Sequence, residues 1–117
     1  MLVVEEDPVV RHKVMALLKD RFDVIAVSSG VQLPELLKTH KPALIILDVI
    51  LPWLDGFELC RIIKTDVFGW RIPVLFLTEC IEREDELTVK EVGGNGYLTK
   101  PFFPKDLFRE VHRLLAA

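Results

Sequence analysis

The sequence predicts an α/β fold: a doubly wound, five-stranded parallel sheet with helices on both faces. Three observations predict it. Short apolar runs alternate five times with longer stretches of helical spacing. The run over residues 43–47 is continuously apolar, as in a strand buried on both faces. That run stops at a carboxylate, Asp48, with Pro52 and Asp55-Gly56 close behind as turn signals. Open α/β sheets place their chemistry beyond the C-terminal ends of such strands, so Asp48 is the first candidate functional residue.

Each element has its own local reason. Leu2-Val3-Val4 forms a first strand, ending in Glu5-Glu6-Asp7. Pro8 then opens a helix at a favoured first-turn position, with Val10, Val14, Leu17 and Leu18 at helical spacing opposite Arg11, Lys13 and Lys19. Residues 23–27 read as the second strand, closed by Ser28-Ser29-Gly30. Leu33, Leu36 and Leu37 mark the second helix; Pro34 is tolerated only in a first turn, so this helix begins late.

The third strand covers residues 43–47. The third helix covers residues 56–65, with Phe57, Cys60, Ile63 and Lys64 on one side. Residues 66–71 are a loop containing Gly69 and Trp70. Residues 73–77 form the fourth strand, followed by Thr78. A highly charged, weakly amphipathic helix spans residues 82–92, and Gly93-Gly94-Asn95-Gly96 stops it. Tyr97-Leu98-Thr99 is the fifth strand, followed at once by Lys100-Pro101-Phe102. The last helix, residues 104–115, carries Leu107, Val111, Leu114 and Leu115 on one stripe.

Composition bounds the function. A chain of 117 residues, half of them hydrophobic, suits one domain over 1–117 with a core that needs no disulfide or structural metal. No apolar run has the length of a membrane span, and no charged region followed by a long apolar stretch opens the chain. A soluble, cytoplasmic protein without a membrane partner is expected. Net charge is −3 with mixed signs, which argues against a nucleic-acid surface in this domain. Cys60 and Cys80 lack metal-ligand spacing and read as reduced thiols. The chain ends on its last helix, so no output domain is expected in it. His12, His40 and His112 are scattered and receive no catalytic role.

Taken alone, an Asp at a strand end more often serves a turn or cap than a site. The other strand ends decide. In a parallel sheet their C-terminal ends share one edge, which collects Glu5, Glu6, Asp7, Asp48, Thr78 and Lys100. Clustered carboxylates invite a hard cation with oxygen ligands, most simply Mg²⁺. A hydroxyl and an ammonium beside it make a cradle for a phosphoryl group. The chemistry indicated is phosphoryl transfer onto a carboxylate.

At these residues the sequence resembles a two-component response-regulator receiver domain. The resemblance rests on Val3-Val4-Glu5-Glu6-Asp7, Asp48-Val49-Ile50-Leu51-Pro52 with Asp55-Gly56, Thr78, and Tyr97 to Phe102, and it spans essentially the whole chain. It implies a flavodoxin-like sheet of order 2-1-3-4-5. It implies that Asp48 takes a phosphoryl group from a phosphohistidine of a sensor histidine kinase or phosphotransfer protein. Glu6, Asp48 and the carbonyl of Ile50 would hold Mg²⁺ directly, and Glu5 through water. Thr78 would bind a phosphoryl oxygen, and Lys100 would pair with Asp48 or its phosphoryl group. Tyr97 would be an aromatic switch moving with Thr78. The surface of the fourth helix, fifth strand and last helix would engage an output domain, a partner protein or a second copy.

The sequence departs from the family pattern at three points. Glu6 stands where the family usually has Asp; its extra methylene either is absorbed by a backbone adjustment or weakens the metal site. Glu79 follows Thr78 where a small residue is usual; it either repels a phosphodonor or is a solvated carboxylate at the start of the fourth helix. Asn95-Gly96 replaces an acidic pair frequent in winged-helix regulators, which weakens their style of dimer. Trp53, in the loop after Asp48, reads as a partly buried plug or a partner contact. Tyr97 has a plainer reading too, as core with its hydroxyl at the surface.

Three functions compete. The first is a phosphorylatable switch with no more than weak self-phosphorylation and self-dephosphorylation, and so not an enzyme in the usual sense. The second is a degenerate receiver acting as a phosphorylation-independent interaction module, which Glu6 and Glu79 favour. The third is an aspartyl-nucleophile phosphatase, disfavoured because Ile50 stands where a second Asp is wanted.

Overall fold

The computed structural model describes residues 1–79 and 82–116. Five strands, β1 (Leu2–Val4), β2 (Ile25–Val27), β3 (Ile45–Asp48), β4 (Val74–Thr78) and β5 (Gly96–Thr99), alternate with five helices. The helices are α1 (Pro8–Leu18), α2 (Leu33–His40), α3 (Gly56–Thr65), α4 (Arg83–Glu91) and α5 (Pro104–Ala116). All strand pairs are parallel, in the order β2-β1-β3-β4-β5. The expected fold class and strand order are therefore observed.

Strand periodicity builds two cores, because successive side chains leave opposite faces of the sheet. Leu2, Val4, Ile45, Leu47, Val74 and Phe76 pack on one face with Leu33 and Leu37 of α2, Leu59 and Ile63 of α3, and Val89 of α4. Val3, Ile46, Leu75 and Leu77 pack on the other face with Val14 and Leu18 of α1 and Leu107, Val111 and Leu114 of α5. Central strands buried on both faces are why these segments read as unbroken apolar runs.

Helix starts follow local chemistry. Asp7 caps α1 by accepting from the Val9 N–H at 2.9 Å, with Pro8 at the first position. Pro34 lies in the first turn of α2, as its missing donor requires. Asp55 caps α3 by accepting from the Glu58 N–H at 2.8 Å. At the start of α4 the Glu82 N–H donates to the Asp85 carboxylate at 3.0 Å, half of a reciprocal capping box.

Several expected bounds move. The third strand begins at Ile45 and includes Asp48, which pairs with Leu77 in register. The fourth gains Thr78, which pairs with Thr99, and starts after Pro73, which has no N–H for the ladder. The second is shorter than expected; residue 23 instead offers its carbonyl to the N-terminal ammonium of Met1 at 2.6 Å. Leu115 leaves the α5 stripe and is 37% exposed, one position past Leu114 and so turned about 100° from it. Cys60 is a buried free thiol; Cys80 lies outside the described residues.

Candidate functional site

The parallel sheet brings the C-terminal ends of β1, β3, β4 and β5 to one edge. There a cleft of 290 Å³ is lined by Glu6, Asp7, Asp48, Ile50, Thr78, Glu79 and Lys100, among others. Residues as far apart as 6 and 100 in the chain therefore meet around one opening.

Asp48 is nearly buried, at 6% exposure. Its Oδ1 accepts from the Ile50 N–H at 3.3 Å and faces the Lys100 ammonium at 3.3 Å. The same ammonium donates to Glu5 Oε1 at 2.8 Å. Glu5 is fully buried, and its second oxygen, Oε2, has no hydrogen-bond partner among the described residues. Burial raises the Glu5 carboxyl to about 7, with neighbouring Asp48 pushing the same way and Lys100 opposing. Burial pushes the Lys100 ammonium down, but hydrogen bonds and charges from Glu5 and then Asp48 outweigh this and raise it above its ordinary value.

Glu6 is exposed on the cleft wall, so the two members of the acidic pair face different environments. Among the described residues no three ionisable ligand side chains converge as a metal-holding group. The donors on the cleft, carboxylates of Asp48 and Glu6 with the Ile50 backbone beside them, are oxygens. Such a set fits Mg²⁺, which binds through one or two carboxylates and keeps several waters. The orphaned Glu5 Oε2 adds a buried acceptor that a bound water would satisfy.

The loop after Asp48 is shaped by backbone proximity. The Gly56 N–H donates to the Val49 carbonyl at 2.7 Å, and a Cβ on Gly56 would collide with the Asp48 carbonyl. Only glycine allows that approach. Trp53 is no plug: it is 91% exposed with a φ of 74°. Glu79 is exposed and lines the cleft.

Tyr97 is half-buried on β5, and its hydroxyl donates to Glu86 Oε1 of α4 at 2.5 Å. Asn95, in place of the acidic residue, is a tie: its Oδ1 accepts from the Val74 N–H at 2.9 Å and from Lys64 at 3.2 Å.

The sequence reading did not single out Arg11 or Lys13. Arg11 donates from Nη1 to the carbonyls of Glu5 and Glu6, at 3.0 and 3.2 Å. Lys13 donates to the Phe102 carbonyl at 3.2 Å and lies 4.6 Å from that ring's centroid. A cation spaced one turn into α1 was the available signal, and solvated helix faces carry the same signal.

A doubly wound five-stranded sheet with an aspartate, a threonine and a lysine at its C-terminal edge defines the receiver class of signalling domains. The chain belongs to that family: residues 1–112 match the response regulator receiver domain. It is 35% identical over 115 residues to the alkaline phosphatase synthesis transcriptional regulatory protein PhoP of Bacillus subtilis, covering 98% of this chain and 47% of that protein. The chain thus spans about half the length of such curated relatives. Its fold matches a putative response regulator from Chloroflexus aurantiacus with a TM-score of 0.92 at 30% identity, over 99% of this chain and 96% of that one. It also matches the receiver domain of a Pseudomonas aeruginosa sensor histidine kinase, which carries magnesium in its active-site cleft. That match has a TM-score of 0.90 at 31% identity, over 99% and 96% of the two chains. No helix among the described residues is long and apolar enough to cross a membrane.

Proposed function

We propose that this receiver domain accepts a phosphoryl group on Asp48 from a phosphohistidine, with Mg²⁺ bound in the cleft, and acts as a cytoplasmic switch rather than a turnover enzyme. The observation that carries this reading is the Lys100 ammonium bridging Glu5 and Asp48 at the cleft. It places a fixed positive charge beside the carboxylate that would be modified.

An Asp48 carboxylate oxygen would attack phosphorus. The new P–O bond forms as the donor's P–N bond breaks, and the bonding pair returns to the imidazole. Lys100 would follow the growing negative charge, releasing part of its hold on Glu5. Asp48, Glu6 and the Ile50 carbonyl would hold Mg²⁺, with Glu5 acting through water. Bound Mg²⁺ supplies charge neutralisation for the transferring group. Thr78 would donate to a phosphoryl oxygen.

The adduct brings nearly two negative charges, so contacts of Thr78 and Lys100 change with it and bias a two-state equilibrium. Tyr97 would leave Glu86 as Thr78 moves, altering the α4–β5–α5 surface. The partners are a sensor histidine kinase or phosphotransfer protein on one side, and an output domain, partner protein or second copy on the other.

Intact-mass measurement after incubation with acetyl phosphate and Mg²⁺ tests this. One phosphoryl adduct on wild type, absent from Asp48→Ala, is expected. No adduct on wild type or on Glu6→Asp would overturn it in favour of an interaction module that takes no phosphate.

A further inference from the structure

The polar face of α1 carries a contact that the chemistry above leaves without a role. Arg11 stands one turn into the helix and shares Nη1 between the carbonyls of Glu5 and Glu6, at 3.0 and 3.2 Å. Those carbonyls belong to the segment that has left β1 and not yet entered α1. One end of the segment is anchored by the Glu5 N–H, which donates to the Val27 carbonyl at 3.0 Å. The other end is anchored by the Asp7 cap. Between these anchors, Arg11 holds two successive peptide planes to one donor.

We propose that Arg11 is a positioning residue for the cation site: by clamping the carbonyls of Glu5 and Glu6, it fixes the backbone from which the acidic pair reaches the cleft. This rests on the reading of the cleft as a Mg²⁺-assisted phosphoacceptor site. The need for a clamp is greater here because Glu6 is exposed and longer than the usual Asp. A glutamate has one more rotatable bond, so an unfixed backbone would spread its carboxylate over more positions. Arginine suits the task because the two N–H groups of Nη1 are held in the guanidinium plane, whereas a lysine ammonium rotates freely as a point donor.

Charge alone predicts the opposite effect. A guanidinium this close to the acidic pair repels an incoming cation, so removing it should tighten Mg²⁺ binding. Positioning predicts weaker binding. The sign of the change therefore separates the two.

The test is the Mg²⁺ dissociation constant of the whole chain, from amide chemical shifts, for wild type, Arg11→Gln and Arg11→Lys, with a thermal midpoint for each. Arg11→Gln should bind Mg²⁺ about tenfold more weakly, the usual scale for loss of a group that orients a ligand. Arg11→Lys, which keeps the charge, should fall between it and wild type. Equal or tighter binding by a folded Arg11→Gln overturns the positioning role and leaves the phosphoacceptor reading intact. If Arg11→Gln does not fold, wild-type affinity in Arg11→Lys overturns it. A wild type that binds no Mg²⁺ overturns both readings.

Discussion

Lys100 stands closer to Glu5 than to Asp48: its Nζ is 2.8 Å from Glu5 Oε1 and 3.3 Å from Asp48 Oδ1. Its ammonium is the counter-charge of a fully buried carboxyl as well as a neighbour of the proposed phosphoacceptor. Removing one partner of a buried pair strands the other, a loss of about 3–5 kcal/mol. Lys100→Met should therefore destabilise the domain by up to that scale in urea denaturation above pH 7, where Glu5 is ionised and loses its counter-charge. A loss below about 1 kcal/mol, the range of exposed pairs, would contradict the buried pairing.

Glu5 gives the domain a defined pH response. Its folded carboxyl titrates at about 7, above an ordinary value of 4.5. The folded chain therefore binds this proton more tightly than the unfolded chain. The stability it contributes is fully present below pH 4.5 and is lost as pH rises to about 7. Metal-free wild type compared with Glu5→Gln across that window should show the falling component only in wild type. Parallel curves would refute it.

Gly56→Ala runs against helix propensity. In an open helix the change gains up to about 1 kcal/mol. Here the new methyl meets the Asp48 carbonyl, and forced overpacking costs about 1–3 kcal/mol. The expected result is a lower thermal midpoint and slower phosphoryl uptake, since the displaced atom belongs to the acceptor residue itself. A stabilised variant with full uptake would disprove the close approach.

Trp53→Gly has the reverse logic. Trp53 sits in the left-handed region at φ 74°, which costs a side-chain-bearing residue about 1–2 kcal/mol, and its exposed ring buries little. Glycine removes that strain but orders a freer chain, a loss of about 0.5–1 kcal/mol. Stability should stay level or rise slightly in chemical denaturation. A loss above 1 kcal/mol would mean that the ring packs against the protein.

Cys60 should be inert in the native state. It is buried, its thiol donates to the Val92 carbonyl at 3.4 Å, and burial pushes it up to about 11. In a Cys80→Ser background, reaction with an aromatic disulfide reagent at pH 8 should be slow natively and complete in denaturant. Rapid native reaction would contradict the buried position.

Local chemistry was readable before the fold was known. Residues 56–65 form a helix at the expected bounds because Asp55 caps one end, and Pro34 sets the start of its own helix because a missing N–H is harmless only there. The highly charged, weakly amphipathic helix expected over residues 82–92 is α4, Arg83–Glu91, and its buried residue is Val89. Less legible was what each exposed-looking residue would meet. The exposure of Trp53 was not legible, because loop residues have no periodicity to reveal which side is covered.

By itself the sequence determined the alternation of elements, the parallel sheet and the edge on which Asp48, Thr78 and Lys100 would gather. Periodicity, caps and turns act over a few residues, and the handed crossover carries them into topology. Tertiary structure alone decided that Lys100 would choose Glu5, 95 residues away, over Asp48, and that Arg11 would clamp the acidic pair. Both depend on differences of tenths of an ångström between competing acceptors. Those distances exist only once both faces of the sheet are packed.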